Sequence, residues 1–299
     1  MLPRFIGFIA AALTALAVQA APARPIVDLA GVQAARERGA ILWDVRPTEA
    51  YRKGHLPGAI SIGDAGEVLR DPATEDFLPT AKIGKIFAAA GLDPSQEIIV
   101  YASRGAPPAY FGRFALRYFG AASVSVFHDG IDGWSEAGLP LERKTSRRPA
   151  VKLKLAPQPQ LIIETDELLA KLKSGKLQLI DARSPAEYSG EVVRASRGGH
   201  IPGAINIPYT SNWADAAAFA QLQQDRGVNS NDASPAVPEK LKALYAQFDP
   251  EQEVIAYCQS GVRASVTAAV LEALGFRHIR VYDASWLGYA DRPDAPVAP

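Results

Sequence analysis

The chain has 299 residues, 48% of them hydrophobic, with 32 basic and 32 acidic side chains, four histidines and one cysteine. That charge balance gives nucleic acid no electrostatic footprint, and a single thiol excludes an internal disulfide framework. The length exceeds what one hydrophobic core normally covers, so two domains are expected.

Arg4 is the only charge ahead of the apolar run from Phe5 to Val18, and Val18-Gln19-Ala20 places small residues where signal peptidase needs them. Residues 1–20 therefore read as a signal peptide cleaved after Ala20, and the run is shorter than the about 20 residues of a membrane span. A periplasmic or secreted protein with no stable membrane association after cleavage is expected. No cysteine follows the cut to carry a lipid, and cleavage leaves one more acidic than basic side chain.

The remainder contains an internal repeat. Trp43-Asp44-Val45-Arg46-Pro47-Thr48-Glu49-Ala50-Tyr51 returns as Ile180-Asp181-Ala182-Arg183-Ser184-Pro185-Ala186-Glu187-Tyr188, and His55-Leu56-Pro57-Gly58-Ala59-Ile60 as His200-Ile201-Pro202-Gly203-Ala204-Ile205. A third block, Ile99 to Gly105, returns in the same order as Ile255 to Gly261. Two domains of one fold, residues 21–145 and 161–299, account for this. Residues 146–160 between them are basic and proline-bearing, the composition of an extended, solvated linker.

In the second half, Leu177–Ile180 and Val254–Tyr257 read as buried strands, and Pro238–Phe248 and Ala264–Leu274 as helices. That alternation predicts an α/β fold, a parallel sheet flanked by helices in each domain. Asp44 and Asp181 end strands, and each precedes an arginine by two residues; Asp181 reads as structural support for its loop. The stretch from Tyr209 to Pro238 is polar and reads as a surface loop with a helix from Asp215 to Gln224. Cys258 then sits at a strand-to-helix turn, at the carboxyl edge where parallel sheets collect ligands. Unpaired N–H groups and the positive end of the following helix favour thiolate over thiol there, and Arg263 adds a full charge. The histidines, His55, His128, His200 and His278, show no ligand spacing, so no metal is expected and no cofactor is called for. His55 and His200 recur inside a turn block and read as structural hydrogen-bonding groups. Trp134 and Trp286 read as packing anchors.

These blocks, with Tyr257-Cys258-Gln259-Ser260-Gly261-Val262-Arg263-Ala264-Ser265 and Tyr282-Asp283-Ala284-Ser285-Trp286, closely resemble the rhodanese family of sulfurtransferases. The resemblance covers nearly the whole mature chain and is tighter to tandem-domain members whose first copy has lost its cysteine; here Ala102 stands at the position of Cys258. It implies a catalytic Cys258 cycling between thiolate and persulfide, taking sulfur from a small anionic donor, thiosulfate or 3-mercaptopyruvate, and passing it to cyanide or a thiol. A protein acceptor is a further partner it allows.

The residues support that chemistry independently. Gln259, Ser260, Gly261 and Val262 form the loop that rings the sulfur, and Gly261 permits its tight turn. Arg263 is the first candidate to bind the donor's charged end, with Arg183 and Arg197 as further candidates and Arg194 close enough to compete with Arg197. A cysteine phosphatase would place five residues between cysteine and arginine; here Gln259 to Val262 are four, and position 264 is alanine. A non-turnover sulfur carrier is the alternative from another class. Ser260-Gly261-Val262 resembles the loop of mercaptopyruvate enzymes. Those usually carry an arginine where this chain has Glu187, whereas thiosulfate-using members more often show two basic residues in the loop and this one has only Arg263; the sequence departs from both patterns, and thiosulfate is the favoured donor, with 3-mercaptopyruvate the alternative.

Overall fold

The computed structural model describes residues 24–175, 177–223 and 239–299, and the expected leader lies outside them. The first domain holds β1 (Ile26–Val27), α1 (Leu29–Glu37), β2 (Ile41–Asp44), α2 (Thr48–Lys53), β3 (Ile60–Ser61), α3 (Ala65–Val68), α4 (Thr80–Ala90), β4 (Ile98–Tyr101), α5 (Pro107–Tyr118), β5 (Val124–Phe127) and α6 (Gly130–Glu136). Its five strands form one parallel sheet in the order β1-β5-β4-β2-β3. The second domain holds α7 (Thr165–Ser174), β6 (Gln178–Asp181), α8 (Pro185–Tyr188), β7 (Ile205–Asn206), α9 (Ala216–Gln223), α10 (Glu239–Leu244), β8 (Glu253–Tyr257), α11 (Ala264–Ala273), β9 (His278–Val281) and α12 (Ser285–Ala290). Its four described strands are again parallel, in the order β7-β6-β8-β9.

Both sheets are apolar on both faces, as sheets covered by helices must be. Every residue of β2, β4 and β5 is buried, and so are Leu179 to Asp181 and Val254 to Tyr257 in β6 and β8. The register pairs Asp44 with Tyr101 and Asp181 with Tyr257. The residue after each tyrosine, Ala102 or Cys258, thus stands just past the carboxyl edge of its sheet.

The two domains share one core. α5 and α11, which follow the two equivalent loops, pack against each other and bury Phe111, Phe114, Val266, Ala269 and Val270 in a single hydrophobic cluster fed from both sheets. Smaller clusters lie on the outer face of each sheet. The connection between the domains, residues 146–160, is extended and largely exposed, and it is also strapped to the first domain, with Val151 N–H donating to Ala88 O at 3.0 Å and Ala156 N–H to Phe119 O at 3.2 Å. Strand-like alternation explains it, since Leu153 and Leu155 turn inward while Lys152 and Lys154 face water. One expectation needs correcting: the described part of the expected surface loop, residues 209–223, is only partly exposed, with Asn212, Phe219, Leu222 and Gln223 buried. Trp213 and Phe219 pack on His128 of the first domain, with ring centroids 5.0 and 4.2 Å away.

Candidate active site

The repeat builds two matching braces. In each domain an aspartate at the end of a strand accepts from the arginine two residues on: Arg46 Nη2 lies 2.6 Å from Asp44, and Arg183 Nη2 2.7 Å from Asp181. The same Nη2 donates onward to the carbonyl of Gly54 or Gly199, tying down the following turn. The turn histidines do the same work, His55 Nδ1 meeting Tyr51 O at 2.9 Å and His200 Nδ1 meeting Tyr188 O at 3.0 Å.

Cys258 is 1% exposed and directly follows β8. Its backbone N–H donates to Ser285 Oγ at 3.1 Å, and the same hydroxyl accepts from Gly261 N–H at 2.9 Å while donating to Tyr282 O. Of the amides from Gln259 to Ala264, only that of Gly261 meets an acceptor among the described residues, so the others remain free to face an anionic sulfur. Gly261 has a φ of +83°, and a Cβ there would stand 2.5 Å from Asp283 Oδ1. Gln259 is held at the loop's entry, its Nε2 donating to Arg194 O at 2.9 Å. Ser260 turns its carbonyl to the first domain, where it accepts from Arg70. Val262 packs against the shared core.

Arg263 caps α11 and is gripped by Glu187, with Nη1 and Nη2 2.7 and 2.8 Å from the two carboxylate oxygens. Burial opposes the Arg263 charge, but the Glu187 hydrogen bond and the adjacent Cys258 sulfur raise its pKa above the ordinary value. Glu187 is fixed by a capping box with Ser184, the pattern Ser184-Pro185-Ala186-Glu187 in the sequence. Burial pushes the Glu187 carboxyl up, yet the hydrogen bonds from Arg263 and Ser184 outweigh it and hold its pKa at about 2.

The other expected binding arginines are not brought to the sulfur loop as free cations. Arg183 is 1% exposed, spends its donors on Asp181 and Gly199, and stacks 4.5 Å from the ring of Trp286. Arg197 spends its guanidinium on the carbonyls of Ala290, Ala295, Tyr289 and Arg292. Both are bracing groups. Arg194 is instead 57% exposed, with a contact of 3.4 Å to Glu187 as its one ion pair among the described residues. Sequence reasoning missed Ser285 and Arg70. Ser285 carried no signal readable in the sequence alone; the structure shows that the first domain places Gly130 at the equivalent point, since Ile131 N–H reaches Ala102 O as Trp286 N–H reaches Cys258 O, each at 3.0 Å.

The Rhodanese-like domain pattern matches the chain twice, over residues 29–137 and 164–292. The chain belongs to the rhodanese family. Among its rhodanese relatives, a thiosulfate sulfurtransferase of Corynebacterium glutamicum is 31% identical over 263 residues, covering 83% of this chain and 80% of that protein. A thiosulfate sulfurtransferase of Azotobacter vinelandii is 28% identical over 260 residues, covering 86% and 90%. In three dimensions the chain is similar to an anaerobic ergothioneine biosynthesis enzyme from Chlorobium limicola, solved with trimethyl histidine, at a TM-score of 0.75 and 22% identity over 92% of this chain and 71% of that one. At that identity the likeness is one of fold.

Proposed function

We propose that this rhodanese moves sulfane sulfur from thiosulfate to cyanide or a thiol acceptor through a persulfide on Cys258. The observation that carries this reading is the chain's single thiol, set in a loop of unpaired amides beside an arginine charge that Glu187 holds in place. In the first half-reaction the Cys258 thiolate attacks the outer sulfur of thiosulfate. A new S–S bond forms as the old one breaks, and sulfite leaves with the bonding pair. In the second, cyanide attacks the outer sulfur of the persulfide, thiocyanate departs, and the thiolate returns. The unpaired amides and Arg263 are placed to accept negative charge at the sulfur in both steps.

Thiosulfate is favoured over mercaptopyruvate because Glu187, paired with Arg263, stands where mercaptopyruvate-using members usually carry an arginine for the donor's carboxylate. The names of the two relatives point the same way. The leader pattern supports action in the periplasm or outside the cell, which an N-terminal sequence beginning at Ala21 in the exported protein would test.

The deciding experiment is mass spectrometry of the protein after thiosulfate treatment. One added sulfur is expected on Cys258, removable by cyanide, and Cys258→Ser should abolish both adduct and turnover while leaving the thermal transition in place. Turnover with an unmodified Cys258 would end the persulfide reading. Release of only one equivalent of thiocyanate from excess donor and acceptor would instead make the protein a carrier.

A further inference from the structure

One peptide unit of the cysteine loop is held at both ends. The N–H of Gly261 donates to Ser285 Oγ at 2.9 Å, and the carbonyl of the same amide, that of Ser260, accepts from Arg70 Nη1. Arg70 lies in the first domain, 190 positions away, and makes the only hydrogen bond between that domain and residues 258–263 among the described residues. The arginine is built in rather than draped over the surface. It is 4% exposed, its guanidinium lies 5.1 Å from the ring of Phe111, and its Nη2 is 3.5 Å from Asp283 Oδ1. Its Nε is buried with no acceptor among the described residues. The arginine's other ion pair among the described residues is a contact of 3.9 Å to Glu75 Oε2, and a guanidinium so far removed from water, with ion pairs only at 3.5 and 3.9 Å, is costly to keep.

Its effect follows from the amide it holds. Turning a peptide plane over exchanges the directions of its C=O and N–H. Gly261, already in the left-handed region and without a Cβ, resists that turn less than any other residue type. With Arg70 in place the turned amide would set its N–H against guanidinium donors. It would also swing the Ser260 carbonyl toward the Ser285 side, next to the backbone of Cys258. A carbonyl oxygen there opposes the partial positive charge that the unpaired amides supply.

We propose that Arg70 of the cysteine-less domain is a positioning residue of the sulfur-transfer site, locking the Ser260–Gly261 peptide with its carbonyl turned to the first domain. The second domain's loop is then competent only with the first domain docked on it. This rests on the persulfide reading of Cys258, but Arg70 acts through the loop and touches neither donor nor acceptor.

The test uses the full chain with Arg70→Met, which keeps the apolar stem over Phe111 and deletes the donors, and Arg70→Lys, which restores a cation. The readouts are kcat/KM with thiosulfate and with mercaptopyruvate, and the pH profile of Cys258 alkylation by iodoacetamide. Arg70→Met is expected to lower kcat/KM about tenfold or more, equally for both donors, and to move the alkylation profile to higher pH. Arg70→Lys is expected to bring both readouts back to within about threefold of wild type. An unmoved profile in Arg70→Met, with or without lost turnover, overturns the proposal, as does a profile that moves and is not rescued by lysine. If Arg70→Met fails to fold, Arg70→Gln is read in its place. It is neutral and pairs with either orientation of the amide, so a profile identical to wild type again overturns the proposal. Alkylation needs no sulfur donor, so the profile decides the part played by Arg70 even if the wild-type protein forms no persulfide.

Discussion

Asp283 and Glu187 flank the sulfur loop with opposite responses to pH. Burial raises the Asp283 carboxyl to about 7 from the ordinary 3.8, although the Arg70 charge pulls it down. A carboxyl raised in the folded state stabilises the fold fully below pH 3.8, and that contribution is lost as pH rises through 7. Glu187, held at about 2 against an ordinary 4.5, contributes above pH 4.5 and loses its contribution as pH falls toward 2. Asp283→Asn should therefore leave stability at pH 4 near wild type and raise it at pH 8, by on the order of 3 kcal/mol. Thermal unfolding of the two proteins at both pH values checks this, and a variant less stable than wild type at pH 8 would show the Asp283 charge to be satisfied by Arg70. Neither shift is legible in the sequence. Asp283 lies in a recognisable block, but the residue that faces it, Arg70, is 213 positions away.

The two strand-loop-helix elements differ by a few side chains, and those differences separate a sulfur site from a bracket. In the first domain α5 opens on Pro107 and Pro108, which have no N–H to offer, whereas the matching positions at the start of α11 are Arg263, its N-cap, and Ala264. Arg104, the one cation of the first loop, is turned away onto Asp129 and Glu136, with its own N–H on Asp132. Gly130 occupies a left-handed position, φ +54°, that Ser285 also adopts at +50°. A serine there is strained, and the strain is offset by a hydroxyl that fixes two N–H groups of the cysteine loop. The double variant Ala102→Cys with Cys258→Ser is therefore expected to show less than about one hundredth of wild-type turnover and no persulfide after thiosulfate, since the new thiol would lack amides, arginine and hydroxyl together. Activity near that of wild type would mean that the loop does not activate its thiol in the way argued. The strands, the Asp-x-Arg braces and the missing arginine of the first loop could be read directly from the repeat, because each is set by residues close in sequence. The part of Ser285 needed the comparison of φ values at two equivalent points, which sequence alone does not provide.

At the scale of the molecule the domains are joined by charge as well as by apolar packing, and this is the part least legible beforehand. The polar stretch after Tyr209 gave no sign that Trp213 and Phe219 would cover His128. Nor did Arg113 and Arg117 announce a partner, because Glu272 lies more than 150 positions further on. Arg113 is 5% exposed, yet its Nη2 meets Glu272 at 3.0 Å and its Nε meets Val124 O, while Arg117 shares the same carboxylate oxygen. Burial lowers the Arg113 pKa from its ordinary value and the Glu272 charge works against that shift, so the ion pair is what keeps this guanidinium tolerable between α5 and α11. Glu272→Leu should then cost about 1–3 kcal/mol, because it strands a buried charge rather than because the pair itself is worth that much. The distinction can be measured. Adding Arg113→Met to Glu272→Leu replaces the buried pair by apolar groups, and denaturant midpoints should show the double variant recovering most of the loss. If both substitutions together cost as much as the sum of each alone, the pair is not coupled, and the two domains are held together by the shared apolar core between α5 and α11.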